Sequence, residues 1–241
     1  MGAKAKTYDF LESVKAPQRG GATARVVEAL REAIASLELP PGAVLDKSAL
    51  CARLGVSRFP VSEALSRLQA EGLVQIQPQR GTVVSLIRLA DARENMFLRR
   101  SLEVEAVRTL APMVTKDFCV RLRRNLDDQA KSLAADDRAS FHTLDLAFHD
   151  MILDAIGFHK VKQAVESARI GLDRIRRILT SPDIAAVTRN EHERIVAAIE
   201  SGNGGEAAKA MRAHLDAVMV RLMNLAEKQP QLFTDWPETG T

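Results

Sequence analysis

The sequence predicts a mainly α protein in two parts: a small N-terminal unit of helices closed by a β-hairpin, then a larger all-helical unit. Three observations carry this. Residues 54–74, LGVSRFPVSEALSRLQAEGLV, read as a tight turn, a helix and the start of a strand. From about Ala90 to residue 228 the apolar positions recur at helical spacing only. Aromatic residues make up only 4% of a chain that is 46% hydrophobic, so its cores must be built from aliphatic side chains and methionine. The length, 241 residues, suits one large or two small domains.

The elements follow in order. Residues 1–20 read as a flexible N-terminal arm closed by Gly20-Gly21. A first helix is expected over Thr23–Leu37, with Val26, Val27, Leu30, Ile34 and Leu37 on one face. Pro40-Pro41-Gly42 stops it, and Ala43–Leu45 reads as a short strand. Asp46 is suited to cap a second helix, Ser48–Leu54. Gly55 sits where a tight inter-helix turn needs a small residue. Ser57 is placed to cap the third helix, and Pro60 falls in its first turn, where a missing N–H costs little. Val61, Leu65 and Leu68 give that helix a buried stripe, which leaves Arg58, Phe59, Ser62 and Ser66 on its other faces. Two strands, Leu73–Gln77 and Thr82–Leu86, flank the turn Pro78–Gly81. A helix-turn-helix followed by such a hairpin is the winged type, here spanning residues 21–88.

A recognition helix presents its N-terminal end to base edges in the major groove of double-stranded DNA. Arg58 is expected to contact base edges or phosphate there. Ser57, Ser62 and Ser66 can donate hydrogen bonds, and Phe59 can touch a thymine methyl. Arg80 and Gly81 at the hairpin tip suit close approach to phosphate or the minor groove. Residues 1–88 hold 12 Lys and Arg against 8 Asp and Glu, whereas residues 89–241 hold 22 against 23. The basic excess therefore lies with the helix-turn-helix, as nucleic-acid contact requires, although surface solvation alone gives similar numbers. No apolar run is long enough to span a bilayer, and no signal-peptide pattern opens the chain. Cys51 and Cys119 lie far apart and read as two small hydrophobes, which fits a reducing, cytoplasmic setting.

The second half reads as a six-helix bundle over residues 89–228, with helices near 90–113, 116–134, 138–156, 159–179, 183–201 and 205–228. Pro112, Asp136-Asp137, Gly157, Ser181-Pro182 and Gly202–Gly205 supply the breaks. Residues 229–241 form a C-terminal tail in which Phe233 and Trp236 can pack back. Asp145 and His149 are four apart, so they share a helix face about 6 Å apart along the axis. His192 and His214 fall on later helices, His214 beside Met211, Leu215 and Val218. Imidazoles and a carboxylate pointing inward from several helices can build a metal site in a bundle. Such a set suits Zn, with Ni, Mn or Fe as further candidates, and leaves positions open for ligand. Spacing alone equally describes a local Asp–His hydrogen bond and satisfied core histidines. Arg99 and Glu103 form another i,i+4 pair, either a surface salt bridge or an Arg turned inward to take an anion. His142 is two turns from His149 and lines the cavity or faces solvent, while His159 reads as an incidental loop residue.

Pro41-Gly42-x-x-Leu45, Leu54-Gly55-Val56-Ser57-Arg58-x-Pro60-Val61-x-Glu63-Ala64-Leu65, Leu68-x-x-x-Gly72-Leu73-Val74 and Arg80-Gly81-x-x-Val84 form one motif set. Arg99-x-x-Leu102-Glu103, Asp145-x-x-Phe148-His149, Glu191-His192-x-x-Ile195-x-x-Ala198-Ile199 and His214-Leu215 form a second. Together, over residues 22–226, they resemble the GntR family of bacterial transcription regulators, in the FadR-like branch with an all-helical FCD effector domain. Six helices in the second half look more like its VanR-like subgroup. The resemblance implies Asp145, His149, His192 and His214 as ligands of a divalent transition metal. It implies Arg99 as a cavity residue near a small organic acid effector, and a homodimer reading a palindromic operator. The family commonly has Thr-Pro-Val-Arg where this chain has Phe59-Pro60-Val61-Ser62, so base readout rests more heavily on Arg58. The expected function is a ligand-responsive DNA-binding regulator, not an enzyme, in which effector binding alters the spacing of the winged helices across the dimer. Two alternatives stand beside it: a regulator that senses metal without an organic effector, and a metalloenzyme fused to a DNA-binding domain.

Overall fold

The computed structural model describes residues 8–12, 21–77, 81–179 and 181–236. Two compact units emerge, one comprising residues 1–87 with 231–234, the other residues 88–230 with 235–241.

The first unit contains α1 (Ala22–Ala35), β1 (Val44–Leu45), α2 (Lys47–Leu54), α3 (Arg58–Ala70), β2 (Val74–Gln77) and β3 (Gly81–Val84). Leu30, Ile34, Leu50, Leu54, Val61, Leu65 and Leu68 are fully buried and join the three helices. The sheet is antiparallel in the order β1-β3-β2, with Val44 opposite Val83 and Val74 opposite Val84. Asp46 caps α2 as expected, accepting from the amides of Ser48 and Ala49. Gly55 ends that helix in the left-handed region (φ 70°) and closes the turn by donating to Cys51 O. Ser57 occupies the N-cap position of α3, but its side chain accepts no capping hydrogen bond, contrary to expectation.

The expectation of a flexible arm fails for residues 8–12. Tyr8 and Leu11 are buried in the core of this unit, and the Tyr8 hydroxyl accepts a hydrogen bond from the Asp46 amide. Part of the tail is likewise structured. Ile87 donates to Leu232 O and accepts from Thr234 N, and Phe233 is buried.

The second unit holds α4 (Leu89–Leu110), α5 (Lys116–Ala134), α6 (Arg138–Ala155), α7 (His159–Leu179), α8 (Pro182–Glu200) and α9 (Gly204–Lys228). A 3-10 turn, Ala111–Met113, shortens the first of these relative to expectation. Helix starts are fixed by local chemistry: the side chains of Thr115, Asp137, Ser181 and Asn203 accept from amides of the turn that follows. Helix α4 has no such cap of its own. Asp235 supplies one, its two carboxylate oxygens accepting from Leu89 N and Ala90 N at 2.6 and 2.8 Å. Helix α4 packs against α6, α7 and α9, while α5 packs against α6 and α8. His159 opens α7 rather than lying in a loop.

The α9 N-terminus lies close against the end of α4. A Cβ at Gly204 would sit 2.5 Å from the Arg108 carbonyl oxygen, so only glycine fits without movement. Gly204→Ala is expected to cost about 1–3 kcal/mol, the usual penalty of overpacking. Thermal unfolding should show a lowered midpoint for it, and little change for Gly21→Ala, whose added Cβ meets nothing within 4 Å.

Candidate functional site

The helical unit has an unusual centre for an aliphatic bundle. Arg99, Glu103, Asp145, His149, His192 and His214 are all buried there. Helix α4 brings Arg99 and Glu103, α6 brings Asp145 and His149, α8 brings His192, and α9 brings His214. One ring nitrogen from each of His149, His192 and His214 lies within 4.8 Å of the other two. The rings of His149 and His214 are 5.3 Å apart, and Phe148 stacks on His192 at 4.2 Å. Asp145 Oδ1 lies 3.4 Å from His192 Nε2 and 3.9 Å from His149 Nε2. Its other carboxylate oxygen is in close contact with Arg176 of α7.

Each imidazole faces an outer partner through Nδ1. His192 meets Gln129 Oε1 at 3.0 Å, and His214 meets Glu191 Oε2 at 2.8 Å. Glu103 Oε2 lies 2.6 Å from His149 Nδ1, an ion-pair distance off the line of an ideal hydrogen bond. The opposite nitrogens, His149 Nε2 and His192 Nε2, are buried without a hydrogen-bond partner. Buried polar atoms are seldom left so unless something else satisfies them. These two imidazoles and that of His214, beside a carboxylate, fit the donor set of a divalent transition metal.

Burial dominates the electrostatics. It pushes all three imidazoles below the usual histidine range, His214 to about 4 despite its bond to Glu191, and His192 well below with the help of its two neighbouring rings. Neutral rings are the form that binds metal. Burial also raises Glu103, but Arg99 and His149 beside it outweigh this and hold it well below the usual carboxylate range. Burial, with Arg99 nearby, pushes Arg176 down to about 9.

A cavity of about 50 Å³ opens beside this cluster, lined by Arg99, Asp145, Arg176, His214 and Arg221 among polar residues and by Phe141, Leu179 and Val218 among apolar ones. The Arg99 guanidinium bonds Glu103 through Nε at 2.6 Å, and its Nη2 is buried without a hydrogen-bond partner. Arg99 and Glu103 are each 1% exposed, which disposes of the surface salt bridge. His142 also lines the cavity and meets Asp173 at 3.0 Å. Glu191, Gln129, Arg176 and Arg221 escape sequence reasoning. Glu191 sits in the Glu191-His192 motif. The other three carry no local signal, because their partners lie 30 or more residues away.

In the first unit, Arg58 and Phe59 stand exposed at the N-terminal end of α3, Phe59 at 76%. Ser57 is exposed and Ser62 is half-buried. Ser66 is exposed with its hydroxyl donating to Ser62 O. Gly81 opens β3 at φ 83°. Arg80 lies outside the described residues.

Comparison with known proteins gives two family matches: the FCD domain over residues 94–217 and the bacterial regulatory proteins of the gntR family over residues 22–84. An HTH-type transcriptional regulator in an unstable DNA locus of Streptomyces ambofaciens is 36% identical over 205 residues, covering 85% of this chain and 86% of that protein. The HTH-type transcriptional regulator LutR of Bacillus subtilis is 32% identical, covering 80% and 98%. The HTH-type transcriptional repressor RspR of Escherichia coli K12 is 27% identical, covering 88% and 93%. Among solved structures, a GntR transcriptional regulator from Rhodococcus sp. RHA1 shares the fold with a TM-score of 0.69 at 24% identity, over 84% of this chain and 97% of that one. E. coli McbR/YncC does so with a TM-score of 0.65 at 19% identity, over 85% and 98%.

The depressed histidines have a pH consequence for metal-free protein. Protons bind the unfolded chain near pH 6.5 but the folded chain only at lower pH, so stability present above about 6.5 falls as pH drops. For His214 the loss runs from about 6.5 to about 4. Denaturant unfolding across pH 7.5 to 4.5 is expected to show this decline, with a shallower slope in His214→Asn. An equal slope in both proteins would contradict the assignment.

Proposed function

The chain belongs to the GntR family of bacterial regulatory proteins, in its branch with an FCD domain, and we propose that it is a homodimeric regulator whose hold on a palindromic operator responds to a small carboxylate bound beside a metal centre. That it is a DNA-binding transcriptional regulator rather than an enzyme follows from the family and its relatives. The observation that carries the rest is the meeting of two unsatisfied groups in one place. Nε2 of His149 and Nε2 of His192 have no hydrogen-bond partner, and their neighbours Asp145 and His214 line a cavity onto which Arg99 brings a guanidinium whose Nη2 has none either.

Asp145, His149, His192 and His214 would hold a divalent ion, zinc by the nitrogen-rich donor set. When bound, the ion supplies a coordination position for a carboxylate oxygen. Arg99 takes the carboxylate's remaining charge in its buried fork, and Phe141, Leu179 and Val218 exclude water around the ligand's body. Arg176 holds one oxygen of Asp145 and leaves Oδ1 turned toward the imidazoles, where it would serve the ion. Among the described residues no helix is long and apolar enough to cross a membrane. A site of action in the cytoplasm, with the DNA, agrees with that.

On the DNA side, Arg58 reads bases or phosphate from the first turn of α3, with Ser57, Ser62, Ser66 and the hairpin residues Arg80 and Gly81 as supporting contacts. Phe97, 70% exposed, and its neighbour Leu98 form an apolar pair on α4 that a second copy would cover. Effector control requires only that the ligand binds one state of the dimer better than the other.

The test is DNA affinity by fluorescence anisotropy, on a duplex selected from random sequence, at constant zinc. Short hydroxy and keto acids are expected to change the affinity of the wild type, and Arg99→Leu to lose that response while still binding DNA. A response to zinc alone, with none to any acid, would favour a metal sensor. Arg58→Ala is expected to weaken specific binding by about 1–3 kcal/mol, the worth of one good base contact. Unchanged affinity in Arg58→Ala would refute its role.

A further inference from the structure

Helix α5 contributes no ligand to the cluster, yet it carries the buried polar side chains Asn125, Gln129 and Ser132. Gln129 is fully enclosed. Two of these residues form a chain of hydrogen bonds whose direction can be deduced. A backbone carbonyl can only accept, so Asn125 must present its NH2 group to Leu144 O, 3.1 Å away. Its Oδ1 is thereby turned toward Gln129, which donates through Nε2 at 2.7 Å. That leaves Gln129 Oε1 facing His192 Nδ1 at 3.0 Å. An amide oxygen also only accepts, so a neutral His192 carries its proton on Nδ1 and keeps the lone pair on Nε2. Reversing any link sets two acceptors or two donors against each other in a dry interior, which forfeits a buried hydrogen bond.

We infer that Gln129, held in orientation by Asn125, is a positioning residue that fixes the Nδ1–H tautomer of His192 and so aims its bare Nε2 at His149 and His214. Glu103 and Glu191 occupy the corresponding places at Nδ1 of His149 and His214. All three rings therefore face the centre in the same sense. The difference at His192 is charge. Gln129 orients its ring without adding a third outer carboxylate to a site that already buries Glu103 and Asp145. The consequence for metal affinity rests on the metal reading above, whereas the tautomer does not.

Long-range proton–nitrogen correlation NMR of metal-free, histidine-labelled full-length protein tests the tautomer, and competition with a chromophoric chelator measures zinc affinity. The wild type is expected to show His192 as the Nδ1–H form. Gln129→Leu should lose that preference and bind zinc about 10–100-fold more weakly, the usual cost of losing an outer-shell partner. Gln129→Glu, which keeps an acceptor at His192 Nδ1 although its second oxygen then opposes Asn125 Oδ1, should restore the tautomer. If Gln129→Leu fails to fold, Asn125→Leu, which frees the Gln129 amide to turn over, should give a mixture of His192 tautomers. An Nε2–H form in the wild type overturns the inference, as does a Gln129→Leu protein with wild-type tautomer and zinc affinity. Wild-type protein with the Nδ1–H form but no zinc binding would sustain the positioning role and remove the metal reading.

Discussion

The helical half is organised around the burial of charge. Arg99, Glu103, Asp145 and three histidines sit in the middle of a bundle whose core is mostly leucine, isoleucine, valine and alanine. An isolated ion in such a place is strongly unfavourable, so each group must find a partner, and partners must come from other helices. Every helix of the bundle supplies one: Arg99 and Glu103 from α4, Gln129 from α5, Asp145 and His149 from α6, Arg176 from α7, Glu191 and His192 from α8, His214 from α9. The cluster thereby dictates how the six helices register. It also leaves Nε2 of His149 and of His192 without a hydrogen-bond partner, a condition that a metal ion would relieve.

The N-terminal unit solves a simpler problem with local means. Its core is aliphatic, its turns are set by Asp46 and Gly55, and it turns outward an arginine and a phenylalanine that its own stability does not use. Exposed Phe59 and Arg58 suit the proposed contact with DNA. The proposed functional groups thus differ in kind: the first unit exposes them on a finished fold, and the second buries them where they shape the fold.

Much of this was legible in the sequence, for identifiable reasons. Helix limits in the second half were readable because their causes are local: the capping side chains of Asp137 and Ser181, and the glycines at 157 and 202. Asp145 and His149 could be paired because i,i+4 spacing fixes a shared face. Nothing in their own spacing tied His192 and His214 to them, and the resemblance to a family did so. Gln129 and Arg176 stayed hidden because their partners lie 63 and 31 residues away and meet only after helices pack. The same holds for Asp235, which caps α4 from the far end of the chain, and for Tyr8, which enters the N-terminal core and meets Asp46, 38 residues away.

If the buried imidazoles form a metal centre, stoichiometric zinc titration of chelator-stripped protein is expected to find one zinc ion per chain, with binding lost in His192→Ala and in His214→Ala proteins that remain folded. Absence of zinc binding by the wild type, or equal binding after either substitution, would contradict it.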